Sequence, residues 1–362
     1  MRESLSLAAG SKTTVTGTAY TSRTRCRPML KAISLCAVLL LPSLYALPSC
    51  AQVERVAAPA YSIESAAAVT SLLLDVVRAG DRLIAVGDRG HILYSDDNGQ
   101  QWLQARVPTQ QLLTAVYFVD DRHGWAVGHD ALILATRDGG ATWTRQYDDL
   151  EAESPLLDVW FKDVNHGYAV GAYGMLLETR DGGQDWQRID EALDNEDAFH
   201  LNAIGAVADS GIFIVGEMGM MFRSADWGQS WKRLDSPYQG SLFGLLATVE
   251  PEQLLVYGLR GHIFKSTDSG ESWDAVAVHT GNGLLQYGLS GGSLLSNGDI
   301  LIVGHSGTLL RSSDGGESFS VSNRADRISL AAVVDGKAGG LILVGQNGIH
   351  QTDANGNDLL NK

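Results

Sequence analysis

Three observations predict an all-β chain folded as a single seven-bladed β-propeller with four-stranded blades. A Val-Gly unit recurs seven times, a turn signature recurs six times, and glycine is in excess, 41 among 362 residues. The units end at Gly87, Gly128, Gly171, Gly216, Gly258, Gly304 and Gly345, spaced 41, 43, 45, 42, 46 and 41 residues apart. Periods of about 40–45 residues, each holding about four short apolar strands, are the blade unit of a propeller. Length alone would suggest two ordinary domains, but a repeat that fills the chain makes it one.

Within each unit the elements follow from residue type. The second copy shows the pattern, with apolar or alternating runs at Leu112–Val119, Gly124–Gly128, Leu132–Thr136 and Thr142–Gln146. A second glycine follows the first by three positions in six units (Gly90, Gly174, Gly219, Gly261, Gly307, Gly348), and Ala131 stands there in unit two. Fifteen residues after each of the first six unit glycines comes an aromatic residue, so this part of the blade is rigid while the connectors vary.

The signature between glycine and aromatic residue is Ser/Thr-x-Asp-x-Gly-x-x-Trp, the Asp-box or BNR repeat. Its Asp and aromatic members are Asp97 and Trp102, Asp138 and Trp143, Asp181 and Trp186, Asp226 and Trp231, Asp268 and Trp273, and Asp314 and Phe319. The hydroxyl and carboxylate are suited to hold backbone N–H groups of a tight turn. The glycine supplies a positive φ, and the aromatic ring anchors the next strand. These residues are therefore read as structural. The seventh copy lacks an aromatic outer strand and has only Thr352-Asp353-Ala354-Asn355-Gly356. The segment Val53–Tyr61 is expected to supply that strand and close the ring, removing an open sheet edge.

The first 51 residues read as a leader. Arg23, Arg25, Arg27 and Lys31 precede the apolar run Ala32–Leu41, and small residues follow at Ser49-Cys50-Ala51. This is a secretory signal pattern, too short in its apolar part to span a membrane. Met29 would start a conventional signal peptide. Alternatively Leu47-Pro48-Ser49-Cys50 serves as a lipobox, with Cys50 carrying a lipid anchor. Either way disulfide and zinc–thiolate chemistry are excluded, because all three cysteines lie in this stretch. The leader carries away six basic residues and one acidic one, leaving 21 Lys+Arg against 41 Asp+Glu, a net charge of −20. The expected organisation is a leader over 1–51, an N-terminal strand and linker over 52–69, the propeller over 70–353 and a tail over 354–362. The protein is expected to be exported and monomeric, in the periplasm or lipid-anchored. Its acidity argues against a nucleic-acid partner.

The face opposite the boxes collects the candidate binding residues. The Gly-x-x-Gly turns offer Arg89, His129, Tyr173, Glu217, Arg260 and His305. Two long connections on that face are acidic, one with Asp148, Asp149, Glu151 and Glu153, the other with Asp190, Glu191, Asp194, Glu196 and Asp197. Such loops suit a basic partner, Ca²⁺, or solvent alone. Sialidases share the Asp-box, and a sialidase-like centre would draw on Arg89, Arg260, Tyr173 and Glu217. Their Arg-Ile-Pro signature is absent, and no third arginine occurs in the turn set. No catalytic residue, metal ligand or cofactor is therefore assigned.

The units resemble the photosystem II stability/assembly factor family, as in Gly124-Trp125-Ala126-Val127-Gly128 leading into Thr136-Arg137-Asp138-Gly139-Gly140-Ala141-Thr142-Trp143. The resemblance spans roughly residues 70–353. It implies a non-catalytic exported propeller that serves as a binding scaffold for a membrane-protein complex or transporter at the cell envelope. Photosynthetic members carry an arginine-rich patch for their membrane partner, whereas here arginines are scattered at Arg89, Arg260, Arg324 and Arg327. The rival expectation is an exported glycan-binding or glycan-cleaving propeller, for which the loop face offers Tyr173, Tyr238 and Tyr287.

Overall fold

The computed structural model describes residues 60–359, which lie in one compact unit. The leader, Cys50 and most of the proposed closing strand fall outside these residues.

Six antiparallel four-stranded sheets and one three-stranded sheet follow one another along the chain, each in simple meander order. Blade two runs Leu113–Phe118, Gly124–Gly128, Ile133–Thr136 and Thr144–Tyr147, within two residues of the boundaries expected from its apolar pattern. The second strand of every blade is buried almost end to end, because side chains alternate between its two faces and both faces meet a neighbouring blade. In blade one, Ile84 and Val86 pack towards blade two, while Leu83 and Ala85 pack towards blade seven. Seven apolar clusters result, one for each interface between adjacent blades.

Each innermost strand carries the same irregularity. After its leading leucine (Leu73, Leu113, Leu156, Leu201, Leu242, Leu289, Leu330) the register with the second strand slips by one residue. Bulges of this kind bend a strand and re-aim its side chains. Here they turn the next two residues to the central channel.

Among the described residues, the N-terminal segment adds no strand to blade seven. Ser62 N–H donates to Val107 O at 2.9 Å, and Gln104 holds Ile63 O and Ser65 N–H, so this segment lies against blade one. The outer position of blade seven is taken by the C-terminal end of the chain, where Thr352 bridges Asp358 and Leu359 N–H donates to Gln351 O. The turn before it is a shortened box, in which Asp353 accepts N–H bonds from Asn355 and Asn357. Arg324, 4% exposed, fixes the returning segment through Gly356 O, Asp326 and Asp358. Side-chain packing between blades one and seven then completes the ring, centred on Leu83, Val76, Ile342 and Val344.

Candidate functional site

The meander order places turns between strands one and two, and between three and four, on one ring face. The turns between strands two and three share the other face with the blade-to-blade connections. The Asp-boxes occupy the first face. In each, the Ser or Thr hydroxyl accepts the N–H of the box glycine and donates to the Asp carboxylate, as in Gly140 N–H to Thr136 Oγ1 at 2.9 Å and Thr136 Oγ1 to Asp138 Oδ1 at 2.8 Å. The same carboxylate then accepts a further backbone N–H four residues on, for example Thr142 at 2.9 Å. The box glycines take φ between +84° and +93°. Hydroxyl and N–H donors depress these carboxyls, to about 2 for Asp226 through Ser230 and for Asp314 through Ser312. They stay ionised and saturated with donors, which suits turns rather than acid–base work.

On the second face the turns repeat a tight 3-10 geometry whose middle residue is left-handed. Arg89, Tyr173, Met218, Arg260 and Ser306 have φ between +52° and +59°, and Asp130 and Asn347 also lie at positive φ. This conformation costs an L-residue about 1 kcal/mol, and it directs the side chain out into solvent. Tyr173 is 60% exposed and Met218 54%, an apolar pair on consecutive blades. Tyr173 packs edge-on against His200 at 5.1 Å, and its N–H donates to His200 Nδ1 at 2.8 Å. Glu217 closes the same corner by accepting His200 N–H.

The turn residues stay distributed around the rim. Arg89, Tyr173, Glu217 and Arg260 come from blades one, three, four and five, and none of them lines the central channel. His129 and His305 are likewise exposed on separate blades. In the acidic connections, Asp148, Asp190 and Asp194 pair with Arg145, Arg188 and Arg233, and Asp149 caps its own turn by accepting N–H bonds from Glu151 and Ala152. Glu151, Glu153, Glu191, Glu196 and Asp197 are exposed and make no side-chain hydrogen bond among the described residues. Of the scattered arginines, Arg324 is withdrawn from the surface. It also fills the one grouping with metal-ligand geometry found among the described residues, Asp326, His350 and Asp358, with its own guanidinium.

Two residues that the sequence reading passed over face the channel, Asp75 and Asp158. Each lies at the bulge of an innermost strand and reaches across to the next blade. Asp75 accepts Val76 N–H at 2.8 Å and Val116 N–H at 2.9 Å; Asp158 accepts Val159 N–H at 2.8 Å and Ile204 N–H at 2.9 Å. Burial outweighs these donors and pushes the carboxyls up, to about 6 for Asp75 and about 7 for Asp158, the latter aided by the charge of Asp75. A signal was present in the sequence, since Leu-Leu-Asp-Val occurs at both 73–76 and 156–159.

The profile of the family described as "Photosynthesis system II assembly factor YCF48" matches residues 97–153 and 144–287, more than half of the chain. The chain belongs to this family. Among its curated relatives, the chloroplastic photosystem II stability/assembly factor HCF136 of Cyanidioschyzon merolae is 44% identical over 61 residues, covering 16% of this chain and 14% of that one. The photosystem II assembly lipoprotein Ycf48 of Prochlorococcus marinus is 53% identical over 38 residues, covering 10% of this chain and 11% of that one. The alignments thus span less than a fifth of these relatives' length. A solved structure described as YCF48 bound to D1 peptide superposes with a TM-score of 0.60 at 20% identity, covering 78% of this chain and 91% of that chain. At that identity the likeness establishes the fold.

Proposed function

We propose that this protein is a non-catalytic assembly factor, exported to the cell envelope, that docks a segment of a membrane-protein complex on the face opposite the Asp-boxes. Family membership is the observation that carries this reading, since relatives are named as assembly factors and one has been solved with a peptide. The loop face supports it by combining exposed Tyr173 and Met218 with the five unpaired carboxylates of two neighbouring connections. Electrostatic complementarity of that kind selects a basic segment and speeds encounter. The lipoprotein form of one relative supports anchoring through Cys50 as the route to the membrane.

The test is affinity capture from detergent-solubilised membranes of the source organism, run in parallel with a variant neutralising Asp190, Glu191, Asp194, Glu196 and Asp197. A membrane complex retained by the native protein and lost with the variant is the expected result. Turnover of sialosides or polysaccharides that disappears on Glu217→Gln would replace this reading with a glycosidase.

A further inference from the structure

The central channel encloses about 690 Å³. Its wall holds three carboxylates with no ion-pair partner among the described residues, Asp75, Asp158 and Asp335. Arg78, also in the wall, is engaged elsewhere, donating to Asp335 O at 2.8 Å and to Asn98 Oδ1 at 3.2 Å. The Asp335 carboxylate accepts Ser296 N–H.

A further group points into the same space. Tyr257 belongs to the second strand of blade five (Leu254–Gly258) and is 3% exposed, yet its hydroxyl has no hydrogen-bond partner among the described residues. The hydroxyl oxygen opens to the channel, where a ligand can reach it. The ring reaches the channel only because blades five and six are stripped of side chains beneath it. A Cβ on Gly244 would overlap the Tyr257 ring, and one on Gly292 would come within 3.2 Å of its hydroxyl oxygen. Gly244 and Gly292 occupy inner-strand positions where other blades carry Ala115 and Val116, or Ala203 and Ile204.

We propose that the channel binds an alkylammonium group, held by Asp75, Asp158 and the Tyr257 hydroxyl. These oxygens come from blades one, three and five, and the channel carboxylates are not gathered, among the described residues, with the ligand-atom spacing of a metal site. Each carboxylate already receives one backbone N–H per oxygen and keeps lone pairs free for a multi-donor ligand. Leu74, Leu157 and Phe243 supply apolar wall for methylenes, and Phe243, 36% exposed, offers a ring face to a cation. The ligand is either a free aliphatic amine or a lysine side chain inserted by a polypeptide. This site is independent of docking on the loop face.

Isothermal titration of the purified protein at pH 7.5 with putrescine, with N-acetyl-lysine methylamide and with CaCl₂ tests the proposal. Saturable binding of an amine is expected, weakened at least about tenfold by Asp158→Asn, the equivalent of about 1.4 kcal/mol. Tyr257→Phe should weaken it roughly three- to tenfold, one hydrogen bond's worth, with the melting temperature unchanged. Binding of putrescine alone marks a free-amine site, and binding of the lysine analogue marks a site for an inserted side chain. No saturable amine binding, amine binding that Tyr257→Phe leaves at native strength, or calcium binding in place of amines overturns the proposal.

Discussion

Blades one to four and blades five to seven solve the same packing problem differently at the channel. In the first group, a polar side chain at or next to each bulge reaches the following blade. Asp75 takes Val116 N–H, Thr114 donates to Leu156 O at 2.7 Å, Asp158 takes Ile204 N–H, and Asn202 donates to Leu242 O at 2.8 Å. In the second group those positions hold Phe243 and Gly244, Ser290 and Gly291, and Ala331 and Ala332. There, among the described residues, no side-chain hydrogen bond bridges the blades at the bulge, and at Gly291 the backbone of the next blade comes close. One half of the ring is tied by hydrogen bonds that steer between blades, the other by small and apolar residues. The first arrangement is sensitive to protonation and the second to added volume.

The largest expected effect breaks the second half. A Cβ on Gly291 would collide with the carbonyl oxygen of Ala331, which is backbone and cannot rotate away. Gly291→Ala should destabilise the propeller by about 3 kcal/mol, the upper part of the range for overpacking. The equivalent change in the first half, Ala115→Gly, removes a methyl group and should cost only about 1 kcal/mol. Thermal melts of the two variants that shifted equally would show that the halves do not differ.

Next comes Asp158→Ala, which leaves the N–H groups of Val159 and Ile204 without their acceptor and should cost about 2 kcal/mol at pH 5. The penalty depends on pH in a defined direction. Burial raises the Asp158 carboxyl to about 7 from an ordinary carboxylate value, so the folded state holds its proton where the unfolded chain has lost it. The stability this contributes is fully present below about pH 4 and fades as pH rises through about 7. The native protein should therefore lose stability across that window more steeply than Asp158→Ala, by at most about 1.4 kcal/mol per pH unit. The Asp75 charge, the Arg78 guanidinium, Asp335 and the Tyr257 hydroxyl all line the same channel and are unchanged in the variant. Urea titrations at pH 4.5, 6 and 8 whose differences stay constant would contradict the raised carboxyl.

Thr114→Val is a milder probe of the same half. The hydroxyl has one proton and two carbonyls within reach, Leu156 O at 2.7 Å and Val127 O at 3.1 Å, so the substitution removes a single hydrogen bond. A loss of about 1 kcal/mol is expected, independent of pH between 4.5 and 8. That independence separates a neutral tie from the carboxylate ties on either side of it.

The difference between local and non-local information explains what the sequence disclosed. The boxes were legible because all their bonds close within seven residues, as Ser266, Asp268, Gly270 and Ser272 do. Blade number and strand positions followed from the period for the same reason. The C-terminal outer segment of blade seven was not legible because its determinants are distant: Arg324 acts on Asp358, 34 residues on, and the seventh box has its aspartate displaced to Asp353, directly after Thr352. Asp75 and Asp158 were visible as a repeated tetrapeptide, but their partners, Val116 and Ile204, lie 41 and 46 residues ahead on another blade. The turn residues Arg89, Tyr173, Glu217 and Arg260 could be assigned to turns between second and third strands from the repeat alone, whereas their dispersal around the rim depends on ring geometry that no single turn encodes.

The smallest expected effect sharpens the contrast most. Tyr257→Phe removes a hydroxyl that has no hydrogen-bond partner among the described residues, in a pocket shaped by Gly244 and Gly292 and lying on the half of the ring without polar ties at its bulges. Burial, together with the charges of Asp158 and Asp75, pushes this phenol well above the ordinary tyrosine range, so it stays neutral between pH 4.5 and 8. The phenyl ring keeps all of the packing that Tyr257 makes with Leu289, Ile300 and Ile302. Stability should therefore be unchanged or rise by up to about 1 kcal/mol, with no new pH dependence. A clear loss in a thermal melt would mean that the hydroxyl is tied within the ring itself. The glycine-lined half would then depend on a hydrogen bond as much as the carboxylate half does.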